Sequence, residues 1–218
     1  MSSSSITPAD ERPTWRGWLH AGAFFVAIPA GVLLILAADH ASARVAASIY
    51  AVSLLLGFGP SAGYHRLARR ERTQAIMQRM DHSMIFVLIA GSYTPVCLLG
   101  LPLAWGIPLL CVVWVFAAFG VVLKQFAFER FKLLEYALYP IMGWILVVAA
   151  PALLRNMTPT ELGFLLLGGL LYTVGIPVLV RERPDPWPKT FGYHEVWHGF
   201  TVAAGACHFA TIGLLVAR

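Results

Sequence analysis

Hydropathy, the length of the apolar runs and the placement of cations all point to an all-α bundle of seven membrane-spanning helices. The 218 residues are 58% hydrophobic and only 12% charged, with a mean hydropathy of +0.70, which is more apolar surface than a soluble core could hide. The apolar residues gather into runs of about the twenty needed to cross a bilayer, separated by short polar breaks. The cations concentrate in alternate connections, the pattern of a multi-pass protein whose inner loops are positive.

Taken in order, the polar stretch MSSSSITPADERPTW has neither a cationic leader region nor a small-residue cleavage site. It reads as part of a short disordered cytoplasmic tail over residues 1–16, so that the first helix performs the targeting. The seven-helix domain is expected to fill 17–218, with spans at about 17–38, 45–65, 82–100, 102–122, 134–154, 162–180 and 194–216. Leu99, Gly100, Leu101 and Pro102 divide the third span from the fourth, because Gly stops one helix and Pro starts the next. Ala90, Gly91 and Ser92 in the third span allow close helix packing, read here as internal rather than as a dimer seam. No soluble domain or internal repeat stands out.

Orientation follows from the Lys and Arg residues. Arg12 and Arg16 lie in the tail; Arg66, Arg69, Arg70, Arg72 and Arg79 lie between the second and third spans. Lys124, Arg130 and Lys132 follow the fourth, and Arg181, Arg183 and Lys189 follow the sixth, leaving Arg44, Arg155 and Arg218 for the other side. The N-terminus is therefore expected in the cytoplasm and the C-terminus outside. The net charge of +5 belongs to those loops at an anionic membrane surface, and nucleic acid is not an expected partner. Cys97, Cys111 and Cys207 all fall in apolar runs, where a thiol packs as a small hydrophobe, so no disulfide framework is implied.

This topology brings polar residues together. His65 closes the second span, Asp81 is expected to open the third, and His194 and His198 open the seventh, all at the cytoplasmic side. Ser61 stands four residues before His65, one turn deeper on the same face. Each has a bland reading: an interfacial histidine, an N-cap carboxylate, a hydroxyl satisfying backbone near Pro60. Their coincidence at one depth in an apolar chain favours a functional constellation of Ser61, His65, Asp81, His194 and His198.

The stretch YHEVWH, Tyr193–His198, contains HExxH, whose four-residue spacing sets two imidazoles on one helix face. A zincin protease with Glu195 as base fits poorly, since no Asp or Glu follows Glu195 to supply a third ligand. The next histidine, His208, lies ten residues beyond His198, or about 15 Å along a helix, and reads as a structural helix histidine.

SAGYH (Ser61–His65), RMDHSMIFVLIAGSYTP (Arg79–Pro95) and HEVWHGF (His194–Phe200) resemble, in that order, the motifs of the bacterial hemolysin III-like proteins. That group is the bacterial branch of the adiponectin and progestin receptor family and is distantly related to alkaline ceramidases. The resemblance covers nearly the whole chain. It implies seven helices with the N-terminus inside a bacterial inner membrane, and a Zn2+ ion held by His65, His194 and His198. It also implies that Asp81 holds the water at the metal and that Ser61 hydrogen-bonds around it. Glu195 is then not an essential base, and faces the inner surface or a partner outside the ligand shell.

Three neutral imidazoles leave zinc a position for water, whose pKa falls to about 7. A carboxylate beside it suits hydrolysis of an ester or amide, and a site inside a lipid-facing bundle suits an amphiphile. Zinc-dependent hydrolysis of ceramide-like amides or other acyl bonds is therefore the expected activity, with membrane lipids as partners. Two other classes stay open: a hemolysin-type pore, although the spans lack rows of polar residues that would line one, and a receptor-like regulator of membrane state with structural zinc.

Overall fold

The computed structural model describes residues 12–126 and 132–218. Arg130, one of the expected inner cations, and residues 1–11 of the expected tail lie outside them. Regular structure among the described residues is helical, apart from an isolated bridge between Trp187 and Phe191. The helices are α1 (Trp18–Leu36), α2 (Ala41–Arg66), α3 (Glu71–Pro95), α4 (Leu103–Phe126), α5 (Lys132–Trp144), α6 (Ala150–Asn156), α7 (Pro159–Arg181) and α8 (Tyr193–Val216). Seven stretches are long and apolar enough to cross a membrane, with α5 and α6 sharing the fifth.

Neighbours in sequence pack as antiparallel pairs, and α8 closes the bundle by touching α1, α2 and α3 as well as α7. Large apolar side chains such as Phe25 and Leu33 on α1, Val115 and Val122 on α4, and Val174 and Val180 on α7 face outward. That is the inside-out pattern of a chain whose solvent is hydrocarbon. Inside, one cluster joins Phe86, Val113, Ala117 and Met142 across α3, α4 and α5. A second joins Leu34, Tyr50, Phe58 and Ile212 across α1, α2 and α8. The small residues of α3 serve internal packing: a Cβ on Gly91 would meet that of Ser53 on α2 at 2.3 Å.

Two elements depart from the hydropathy reading. Helix α3 begins at Glu71, well before the expected start near 82. ERTQAIMQRM lacks a helix breaker, has an acidic residue in its first turn and is rich in helix formers, so a polar helix precedes the apolar one without interruption. Asp81 consequently lies almost three turns inside α3 rather than at its cap. The second departure is the fifth span, expected as one helix. It changes after Trp144 to a 3₁₀ segment over Ile145–Ala149, and α6 then starts with Pro151 in its first turn. Tyr93 of α3 stabilises this break. Its hydroxyl donates to the Met142 carbonyl (2.7 Å) and accepts from the Leu146 N–H (3.2 Å), satisfying backbone groups that the change of helix frees.

The connections matter most at the end of the bundle that carries the N-terminal segment. Within the expected tail, Thr14 and Trp15 donate backbone N–H bonds to the carbonyls of Lys189 (3.1 Å) and Thr190 (3.0 Å). Residues 12–16 thus lie across the loop that leads into α8. At the opposite end Glu161, buried near the start of α7, accepts from the Thr158 N–H (2.7 Å) and from Arg218 Nε (2.9 Å), which fastens the chain's last residue to α7.

Candidate metal centre

Three histidines from two helices meet at the N-terminal end of the bundle. His65 occupies the last turn of α2, while His194 and His198 occupy one face of the first turns of α8. Helix α8 starts at this point because Gly192 forms its cap: the Gly192 N–H donates to Glu195 Oε2 at 2.8 Å. A nitrogen from each of the three imidazoles lies within 4.8 Å of the others. The Nε2 atoms of His65 and His194 are 3.1 Å apart. His65 and His198 are buried and His194 is half-buried.

The residues fit a divalent metal. Tetrahedral ligation at about 2.0–2.1 Å per nitrogen sets neighbouring nitrogens about 3.3 Å apart, close to the observed His65–His194 separation. His198 Nδ1 is buried and finds no hydrogen-bond partner among the described residues. An orphaned imidazole nitrogen in an apolar bundle is costly, and a cation in the cluster offsets that cost. All three donors are imidazoles, which suits zinc and several other transition metals.

Asp81 is beside this group, its Oδ2 at 3.9 Å from His65 Nε2. That distance is too long for a direct hydrogen bond. Ser61 is buried one turn below His65, near the Asp81 carboxylate. The five sequence-selected residues therefore form one constellation.

Of the two places expected for Glu195, the structure shows the second, a partner outside the ligand shell. It is fully buried rather than directed to the inner surface, and besides capping α8 it pairs with Arg16 of the N-terminal segment. That segment also reaches His65 from the other side. Arg12 Nη1 donates to the carbonyls of Tyr64 and His65, both at 3.2 Å. Gly17, at φ +81°, approaches so closely that a Cβ on it would lie 2.6 Å from that of His65. Only glycine combines that φ with that contact.

Two further residues of the site escape the sequence argument. His20 of α1 is buried, with its Nδ1 2.8 Å from Ser61 Oγ and its Nε2 2.8 Å from Thr201 Oγ1. Its ring stacks on that of His198, with centroids 3.7 Å apart and planes 9° from parallel. An ionisable residue inside the first apolar span was the available signal. Thr201 carried no signal beyond standing three residues after His198. His208, by contrast, packs elsewhere: a Cβ on Gly168 of α7 would lie 2.3 Å from its Cδ2, and Tyr172 is its ring neighbour.

Seven apolar spans closing around a polar pocket of three histidines define a multi-pass membrane protein with a metal-competent site at one end of its bundle. Residues 10–209 match the family model described as Haemolysin-III related, and the chain belongs to that family. It is 37% identical over 193 residues to the Hemolysin-3 homolog of Bacillus subtilis (strain 168), covering 87% of each chain. Hemolysin-3 of Bacillus cereus is 36% identical over 189 residues, with 84% of this chain and 82% of the relative covered. The human Monocyte to macrophage differentiation factor is 29% identical over 208 residues, covering 89% and 80%.

Proposed function

We propose that this protein is a zinc-dependent lipid hydrolase of the bacterial inner membrane, oriented with its histidine cluster toward the cytoplasm and cleaving ceramide-like amides or other acyl bonds. The observation that carries the reading is the convergence of His65, His194 and His198 beside Asp81 inside an apolar bundle. Zinc held by the three imidazoles would supply a Lewis acid that polarises a carbonyl and activates water near neutral pH.

The chain's own residues supply the remainder. Asp81 takes the proton of the attacking water and returns it to the leaving amine or alkoxide as the acyl bond breaks. Ser61 holds the hydrogen-bond geometry beside that carboxylate. The apolar outer faces of the spans would carry the acyl chain of an amphiphile whose carbonyl reaches the site. Arg12, Arg16 and Gly17 brace the backbone of His65 and the start of α8, which holds the ligands in place.

The test is zinc content and turnover on purified protein with defined ceramides, lysolipids and phospholipids. The expected result is about one zinc per chain and release of a fatty acid, both lost in His65→Ala. Unchanged zinc content in that variant overturns the ligand assignment, and stoichiometric zinc without turnover on any acyl lipid overturns the hydrolase reading. The names of the Bacillus relatives support a second reading, direct membrane lysis. Vesicle leakage that persists when all three histidines are replaced would favour it.

A further inference from the structure

His20 belongs to the first span and stands in none of the three motifs that carry the metal constellation, yet it touches two members of the site. Its Nε2 meets Thr201 Oγ1 at 2.8 Å, and the Thr201 hydroxyl also reaches the His198 carbonyl at 2.9 Å. A hydroxyl has one hydrogen. A carbonyl can only accept, so that hydrogen goes to His198, and His20 Nε2 must be the donor to Thr201. A neutral imidazole protonated at Nε2 accepts at Nδ1, and its partner there, 2.8 Å away, is Ser61.

Ser61 therefore spends its hydrogen on His20. Toward Asp81 it presents lone pairs alone, so a water between the two would find an acceptor on each side, with its own lone pair left free to attack. The other contact of His20 concerns the ligand. Nδ1 of His198 has no hydrogen-bond partner among the described residues, so no protein hydrogen bond there prepares the angle of its ring for the metal. The flat stack at 3.7 Å does so instead.

We infer that His20 is a positioning residue of the metal centre, setting the ring of His198 by stacking and setting Ser61 as an acceptor by hydrogen bonding. The inference rests on the hydrolase reading for its second half and only on metal binding for its first. These two roles are separable by substitution. His20→Phe keeps a ring against His198 and loses both hydrogen bonds. His20→Gln keeps a donor and an acceptor and loses the stack.

The experiment measures zinc affinity by chelator competition, the visible spectrum of the Co2+ form, kcat at saturating zinc, and melting temperature in the same detergent. In His20→Phe, kcat should fall about 10–100-fold while zinc affinity weakens by less than about threefold. The Co2+ bands should keep their wild-type positions. In His20→Gln, zinc affinity should weaken about tenfold or more and the Co2+ bands should shift, with a smaller loss of kcat than in His20→Phe.

Combining His20→Phe with Ser61→Ala should add little to either single loss, because the two side chains act as one unit. Parallel losses of affinity, kcat and melting temperature in both His20 variants would make His20 a packing residue and overturn the inference. Multiplying losses in the double variant would overturn its Ser61 half. Should the wild type bind metal without hydrolysing any lipid, the hydrolase reading falls while the affinity and Co2+ comparisons still decide the role of His20. A wild type that binds no metal overturns both.

Discussion

Glu195 separates two accounts of the HEVWH stretch, and Glu195→Gln is the perturbation that tells them apart. In a zincin the glutamate of this motif is the general base, whereas here its carboxylate is committed to structure. It pairs with Arg16, the two side chains being 1% and 15% exposed, and it accepts the N–H that caps α8. Glutamine can still accept from Gly192, so the cap survives and the charge pair is lost. Removing one partner of a buried pair costs about 3–5 kcal/mol, and the residual exposure of Arg16 places this case near the lower bound, about 3 kcal/mol. For a chain of this size each kcal/mol moves the melting temperature by about 2–4 °C, so a drop of about 6–12 °C is expected. Thermal melts in detergent, with zinc content and kcat measured below the transition, form the assay. The expected outcome is a less stable protein that retains its zinc and loses kcat less than tenfold. A variant as stable as wild type, with full zinc and kcat down a thousandfold, would overturn the structural role and return Glu195 to that of base.

Three further substitutions probe other parts of the structure. Asp81→Asn should keep zinc at about the wild-type level and lower turnover about 10²–10⁴-fold, the usual contribution of a proton-transferring group; mass spectrometry of the metal beside a lipid assay checks it. Gly17→Ala forces a side chain into the positive-φ region and against His65, and should lower the melting temperature by an amount equivalent to about 1–3 kcal/mol while weakening zinc retention. Tyr93→Phe leaves the Met142 carbonyl and the Leu146 N–H without their shared partner at the break in the fifth span, a loss of about 1–3 kcal/mol. Hydrogen exchange should rise over Ile145–Ala149 in that variant and stay unchanged at α8.

The features legible in the sequence are those that depend on one residue's own chemistry or on short spacing. Bilayer-length apolar runs specify seven spans because each backbone must satisfy its own hydrogen bonds in lipid. The spacing of His194 and His198 puts both on one face of α8; consecutive antiparallel spans bring His65 and Asp81 to one end, and the even number of spans from the third to the sixth returns the start of α8 to it. Hydropathy could not place the start of α3, since a polar helix and a polar loop have the same composition, and so it mistook Asp81 for a residue at a helix terminus. Nor could it find the break in the fifth span, whose backbone groups are satisfied by Tyr93 from another helix.

The setting of the metal-competent group comes from how the helices pack on one another. The pairing of Arg16 with Glu195, the contact of Gly17 with His65, and the bridge of His20 between Ser61 and Thr201 join residues between 41 and 181 positions apart. Such contacts depend on the rotation and depth of each helix against its neighbours. Those are set by packing summed over whole helix faces, and no local stretch of sequence contains them.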